Sequence, residues 1–396
     1  MTMSNSKKYK LLIINTHPVG YHLPIYRYLS ANPHLDVTVN FLLDVFAKGY
    51  TEAEEGWYIS YDKDSLKGYN SKLLRNFSLK PGDSFFGVFN PQVVWPIMTG
   101  RYNYILLFGY NYATLPLVWL SSLISGTPLI FKGEADRHHL KLSRIDRIKK
   151  WVRSIFFSSI DGFAYSFERN AEFFKQHGVK NNQLFFAPCS ADNAKMQELK
   201  SHVVPSSWRQ RNNISEDTPI FLFCGRLIKR KGVEIAFSAF IKLQKKHSKV
   251  VFCIAGSGPL KDKLVQKIHS HNLSEKVILT GFVSFPELAE IFVETHALIL
   301  PSISDPSPKI VNEVMNFGIP VIVSKNVGTA GDLIRHGENG YIIDILSAEN
   351  IANAMENTLS PKIYKSLSKA AENTVQEWSP EATSTAIAEW IIHHGK

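Results

Sequence analysis

Three stretches in the second half of the chain place anion-binding and acidic side chains on turns that follow apolar runs. The first is Phe223-Cys-Gly-Arg-Leu-Ile-Lys-Arg-Lys-Gly232, leading into an amphipathic run from Val233. Arg226 offers a planar fork to phosphate oxygens and Lys231 a point charge. A helix N-terminus after the turn adds free N–H groups and a favourable dipole. Taken alone, a solvated basic loop would read the same way, and the spacing is not that of a Walker A loop. The second stretch is Ala255-Gly-Ser-Gly-Pro-Leu260, in which Gly256 and Gly258 allow close approach of backbone to a ligand. An ordinary turn is the plainer reading, and the third glycine of a dinucleotide fingerprint is missing. The third is Leu300-Pro-Ser-Ile-Ser-Asp-Pro-Ser-Pro-Lys-Ile-Val-Asn-Glu-Val-Met-Asn-Phe-Gly318. Asp305 falls on its loop and Glu313 inside the helix expected from about Pro308. Both oxygens of a carboxylate can accept bonds from a pair of ribose hydroxyls. Val311, Val314 and Met315 around Glu313 predict partial burial.

Such turns need strands ending beneath them. Short β-branched or aromatic runs alternate with helical patterns along the whole chain, which predicts parallel sheets covered by helices. The expected strands are Tyr9–Thr16, Val37–Leu43, Tyr104–Gly109, Pro128–Phe131, Gly162–Ser166 and Leu184–Pro188, then Pro219–Gly225, Val250–Gly256, Val277–Phe282, Ala297–Pro301, Pro320–Ser324 and Gly340–Asp344. The alternation pauses over the polar segment Asn193–Thr218. This predicts an N-terminal domain over 1–195, a second over 196–376 entered through a linker at 196–217, and a helix over 377–396. Ligands in such sheets bind beyond the carboxyl ends of the strands.

Composition narrows the class. Hydrophobic residues make up 44% and charged residues 20% of 396, enough for two packed cores. Three cysteines, Cys189, Cys224 and Cys253, lie in or beside apolar runs without metal-ligand spacing, so buried thiols are expected rather than disulfides or a metal site. The first apolar run is too short for a signal peptide and reads as a strand, which suggests a cytoplasmic protein. Tyr102–Phe131 carries no charge and is long enough to span a bilayer, but its Pro, Gly and Asn residues divide it into strand, helix (Ala113–Ser125) and strand. The net charge of +10 leaves anionic partners open.

The second half resembles a retaining glycosyltransferase of family 4, the glycosyl transferases group 1. That family carries G-R-x4-K-G, then A-G-x-G-P, then an E-x7-E loop and helix, in this order. Gly318-Ile-Pro-Val-Ile-Val-Ser324 and Gly337-Glu-Asn-Gly-Tyr341 match as well. The resemblance implies a GT-B fold: two Rossmann-like doubly wound α/β domains facing each other across a cleft, with the helix over 377–396 crossing back to the N-terminal domain. It implies that Arg226 and Lys231 hold the donor diphosphate and that Glu313 binds the nucleotide ribose. Asp305 takes the place of the first glutamate, facing the donor sugar. On the same resemblance, Gly20, Gly256, Ser257, Gly258, Lys309 and Ile310 are expected to complete the donor site. The sequence departs from the family pattern in the shorter acid at 305 and in Ser307, Pro308 and Lys309; Pro308 has no N–H to offer a ligand.

The first half resembles the family more loosely. His17-Pro-Val-Gly-Tyr-His-Leu-Pro24 occupies the loop after the first strand, and Phe131-Lys-Gly-Glu-Ala-Asp-Arg-His138 the region where many members place a catalytic His or Asp. Glu134, Asp136 and His138 are the catalytic candidates there, each also readable as part of a solvated loop. Lys141–Arg153 is strongly basic, with Leu142, Ile145, Ile148, Val152 and Ile155 at helical spacing. That pattern predicts a core-packing helix whose basic face is either solvated or also meets anionic lipid headgroups, the second reading placing the protein peripherally at the inner face of the membrane. No nucleic-acid module accompanies the charge. The expected reaction is metal-independent transfer of a hexosyl group from a nucleoside diphosphate sugar, with no other cofactor, to a saccharide or lipid-linked saccharide. The rivals are a GT-B phosphorylase or epimerase, and a sugar-nucleotide binding protein whose altered loop has lost catalysis.

Overall fold

The computed structural model describes residues 8–44, 50–51, 58–59, 63–82, 84–109, 111–135 and 144–395. The chain forms two compact units, one of residues 1–189 with 380–396, the other of residues 190–379.

In the first unit the chain runs through β1 (Tyr9–Asn15), α1 (Leu23–Ala31), β2 (Leu35–Phe41), β3 (Tyr50–Thr51), β4 (Tyr58–Ile59), β5 (Asn70–Leu73), α2 (Val94–Met98) and β6 (Tyr104–Phe108). It continues through α3 (Leu115–Ser125), β7 (Leu129–Lys132), α4 (Arg144–Ser158), β8 (Gly162–Tyr165), α5 (Glu168–Lys175) and β9 (Leu184–Phe186). Seven strands form a parallel sheet in the order β5-β2-β1-β6-β7-β8-β9. Leu11 to Ile14 of β1 and Ile105 to Leu107 of β6 are fully buried, as central strands covered on both faces must be. One face packs through Val93, Ile97, Val118, Phe156 and Phe157 of the α2–α4 side. The other packs through Ile25, Leu29, Ile387 and Ile391.

The second unit contains α6 (Asn193–His202), α7 (Ser207–Arg211), β10 (Ile220–Cys224), α8 (Val233–Lys246), β11 (Val251–Ala255), α9 (Lys261–Ser270), β12 (Val277–Gly281) and α10 (Phe285–Glu294). Then come β13 (Thr295–Leu300), α11 (Lys309–Met315), β14 (Val321–Ser324), β15 (Gly340–Ile343), α12 (Ala348–Thr358) and α13 (Pro361–Glu377). Its six strands are parallel in the order β12-β11-β10-β13-β14-β15. Direction of winding reverses between β10 and β13, the switch point at which doubly wound sheets bind ligands. The last helix, α14 (Pro380–His394), belongs to the first unit. Thr383 Oγ1 donates to Pro188 O at 2.6 Å and Ser384 Oγ to Ile25 O at 3.2 Å.

All twelve expected strands are present with ends shifted by a residue or two; β3, β4 and β5 carry too few apolar residues to have been seen. Tyr102–Phe131 divides into β6, α3 and β7, and no helix among the described residues is long and apolar enough to cross a membrane. One expectation changes. Val152 and Ile155 are exposed, because α4 turns Phe156 and Phe157 to the core instead. Side chains of residues 136–149 lie outside the described set. The cysteines are free, with Cys189 and Cys253 buried and Cys224 half-buried.

Candidate active site

In the second unit the loops after β10 and β13 lie side by side at the switch point. Ile303 N donates to Arg230 O at 2.8 Å, and the Arg230 guanidinium donates to Ser304 O at 3.1 Å. Gly232, at φ +76°, lies so close to the β13 loop that an added Cβ would sit 2.2 Å from Pro301 O. The clamp brings Lys231 Nζ within 2.7 Å of Asp305 Oδ2. The sequence places these two residues at different parts of one donor, diphosphate and sugar, and gives no sign of the ion pair, since nothing in the spacing says that two loops 74 residues apart touch. Asp305 is buried, 5% exposed, and held through its backbone as well: Gly328 N donates to its carbonyl at 2.9 Å. Arg226, half-buried on the same loop as Lys231, has no side-chain partner among the described residues. The hydroxyls of Ser302 and Ser304 are buried without a hydrogen-bond partner among the described residues.

The glycine loop after β11 packs against the loop after β10. Leu227 N donates to Ser257 O and Gly225 N to Ala255 O, each at 2.9 Å. A Cβ on Gly256 would sit 2.0 Å from Gly225 O, and one on Gly258 2.7 Å from Leu227 O. Sequence leads one to expect that Gly256 and Gly258 let backbone approach a ligand, and both also lie against a second loop. The neighbour is the backbone that carries Arg226 and Lys231, so these glycines set the position of the cationic loop.

Glu313 lies on α11 one turn after Lys309, with Ile310 between them, both half-buried. The helix starts at Lys309, after Pro308. Lys309 Nζ donates to Ser307 Oγ at 3.0 Å. Burial pushes the Glu313 carboxyl up to about 7, against the opposing pull of Lys309 and of Lys195 on α6. Lys195 lay in the segment read as domain edge and linker, and its sequence offered no signal of this role. At the end of β10, burial raises the Cys224 thiol pKa, Glu313 raises it further and Lys231 lowers it. Glu313 of α11 and Lys231 of the loop after β10 thus both act on the end of that strand.

The first unit has its own cavity, of about 370 Å³, at the ends of β1, β6 and β7. His17, Tyr21, His22, Lys132 and Glu134 line it. Burial lowers the His17 pKa to about 4, which keeps the ring neutral at pH 7. Asn15 Nδ2 donates to His22 Nδ1 at 3.0 Å and to Tyr26 Oη at 2.8 Å. Glu134 accepts from Cys189 Sγ at 2.6 Å. Lys132, only 2% exposed, donates to Ala187 O at 2.6 Å and Ser166 Oγ at 3.1 Å. Gly20 is exposed beside this cavity at the start of a short turn and does not line it. Asp136 and His138 lie outside the described residues.

Residues 205–376 match the family described as Glycosyl transferases group 1. The chain is 30% identical over 160 residues to an uncharacterized glycosyltransferase of Methanocaldococcus jannaschii, covering 39% of this chain and 40% of that protein. It is 28% identical over 175 residues to the alpha-D-kanosaminyltransferase of Streptomyces kanamyceticus, covering 44% of this chain and 45% of that one. The chain thus spans less than half the length of these relatives. Among solved structures, the Anabaena protein HepE in complex with UDP and glucose superposes with a TM-score of 0.70 at 18% identity, covering 97% of this chain and 100% of that one. A glycosyltransferase from Rickettsia africae gives 0.73 at 16% identity, covering 98% and 100%. At these identities the likeness to the solved structures is one of fold. The family match thus covers residues 205–376, and the chain carries the GT-B fold of two Rossmann-like units.

Proposed function

We propose that the chain is a glycosyltransferase that moves a sugar from a nucleoside diphosphate donor, with retention of configuration, to a hydroxyl of a saccharide or lipid-linked saccharide in surface polysaccharide synthesis. The observation that carries this reading is the convergence of Lys231, Asp305 and Glu313 at the end of β10 and the loop beside it. In it, Arg226 and Lys231 take the diphosphate and stabilise the charge that develops as it leaves, without a metal ion. Glu313 accepts from the ribose hydroxyls, and Asp305 faces the donor sugar. Support comes from the HepE structures, which hold UDP, and from 26% identity over 189 residues to a lipopolysaccharide core biosynthesis glycosyltransferase of Rhizobium meliloti.

The test is release of nucleoside diphosphate from UDP-, GDP- and ADP-sugars, with donor affinity read by calorimetry. Arg226→Ala is expected to weaken donor binding by about 1–3 kcal/mol, the range for a charge-assisted hydrogen bond. Lys231→Ala should cost a similar amount and also lower the melting temperature, since Asp305 loses its partner. Unchanged donor affinity in both variants contradicts the assignment.

Glu313 adds a pH dependence. Ribose hydroxyls donate to the ionised carboxylate, so donor affinity should rise as pH increases through about 7 and level off above it. Glu313→Gln should bind donor more weakly and with a flat profile. Stability of the free protein moves the other way. The folded chain holds this proton more tightly than the unfolded chain does. The stabilising contribution is therefore complete at low pH and is lost as pH rises from 4.5 through about 7. Melting curves of the free variant on both sides of that window check the sign: Glu313→Gln should gain on wild type as pH rises.

A further inference from the structure

We infer that the outer face of α2, α3 and α4 docks the first unit on an anionic lipid bilayer, with α3 lying in the plane of the headgroups. α3 buries Leu115 and Val118 but turns further aliphatic side chains outward, where a water-facing helix carries polar ones. Its serines Ser121 and Ser122 are buried, and Ser122 Oγ donates to Thr127 O at 2.7 Å. Its outward positions are Leu120, Leu123 and Ile124, the last 71% exposed. A helix that places leucine outside and serine inside is not built to end at water.

The neighbouring helices continue this face. Trp119 of α3 meets the Phe156 ring of α4 at 5.6 Å and donates from Nε1 to Ser159 Oγ at 2.7 Å, which fixes the two helices side by side. From α4, Trp151 stands 66% exposed and Ile155 40%. On the other side α2 contributes Trp95, 74% exposed, while Val93, Ile97 and Val118 share the core beneath. Two exposed indoles at the margins of an aliphatic patch fit the headgroup boundary, where one end of the ring is wet and the other apolar. The eleven residues of α3 rise about 16 Å, too short to cross a bilayer and suited to lying along it.

Charge selects the occupant. Between residues 84 and 133 the only charged side chains are Arg101 and the buried Lys132, and from 150 to 160 only Lys150 and Arg153. Arg101 and Lys150 are exposed. A surface of aliphatic and indole groups bordered by cations complements anionic lipid. Lys150, at the end of the basic segment read from sequence, thus borders the surface, and α3 supplies its centre.

The experiment is co-sedimentation of the full chain with vesicles of phosphatidylcholine alone and of phosphatidylcholine with phosphatidylglycerol. Binding to the mixed vesicles is expected, weaker with added salt and weaker still to the neutral ones. The combined variant Trp95→Ser, Leu120→Asn, Ile124→Asn should lose at least about tenfold in partition, because it removes the apolar area that enters the interface. Ile345→Asn, an equally exposed aliphatic of the second unit, should bind as wild type does. Should the combined variant melt early, Arg101→Glu with Lys150→Glu tests the same surface without touching apolar groups, and should lose the preference for anionic vesicles. Donor affinity, read separately, should be unchanged in all of these. The inference is overturned if wild type stays in solution with both vesicle types, or if both surface variants bind like wild type. It is also overturned if wild type self-associates reversibly and the Leu120 and Ile124 substitutions make it monomeric, which would assign the face to a second copy.

Discussion

Asp305→Asn is expected to lower the rate of glycosyl transfer on the order of 100-fold while donor binding stays at least as tight as in wild type. The geometry separates the two effects. Asparagine keeps the size of the side chain, and the backbone bonds from Gly328 and to Asn326 hold the loop in place. What is lost is the negative charge next to Lys231 Nζ. In the free protein that charge partly neutralises Lys231. Without it, the full ammonium charge is available to the diphosphate, so donor affinity should not fall. In the proposed reaction the same carboxylate faces the sugar as positive charge develops there, and only the transition state feels its removal. Turnover measured with the donor that wild type uses, alongside the affinity of that donor, distinguishes the readings. A variant that turns over like wild type makes Asp305 a structural partner of Lys231 and no more.

The largest structural effect should come from Gly256→Ala. Gly256 lies at φ +144°, a region essentially reserved for glycine, and the added methyl would sit 2.0 Å from Gly225 O. Neither side can yield easily. Gly256 N donates to Gly281 O at 2.8 Å and Gly225 N to Ala255 O at 2.9 Å, so both loops are tied to the sheet. The backbone conformation alone costs of order 1–3 kcal/mol, and the clash adds to it. For a domain of this size each kcal/mol moves the melting temperature by roughly 2–4 °C. A loss of about 10 °C is therefore expected. Donor affinity should fall more than about tenfold, because Arg226 and Lys231 ride on the displaced loop. Gly337→Ala provides the comparison. That residue has φ +79° and open space around it, so it should show only the conformational cost of about 1–2 kcal/mol. Equal melting temperatures in the two variants would mean the loop contact is soft.

Much of this architecture is legible in the residues themselves. Parallel strands buried on both faces must be continuous apolar runs, and runs such as Leu11–Ile14, Phe221–Phe223 and Leu298–Leu300 could hardly be anything else. The short strand Asn70–Leu73 escaped because its side chains are mostly exposed at the sheet edge, so it carries no such run. In the site, Arg226, Lys231, Asp305 and Glu313 stand out because local spacing places each at a strand end or in the first turns of a helix. The meaning of α3 did not stand out. An uncharged helix reads as buried, and composition cannot tell an apolar face turned inward from one turned outward.

The sequence by itself determined the periodicity, and through it the two parallel sheets, the turns that carry the candidate site residues and the match of residues 205–376 to the glycosyl transferases group 1 family. These are properties of neighbours in the chain, set by side-chain alternation, glycine and proline conformation and the charge on short loops. Tertiary structure alone decided which distant residues meet. It paired Lys231 with Asp305, put Lys195 in the field of Glu313, joined Cys189 to Glu134 and pressed Gly256 against Gly225. The physical reason is that these contacts follow from strand order, β10 beside β11 on one side and β13 on the other. Strand order is chosen by the packing of whole elements, a quantity that no local stretch of residues encodes.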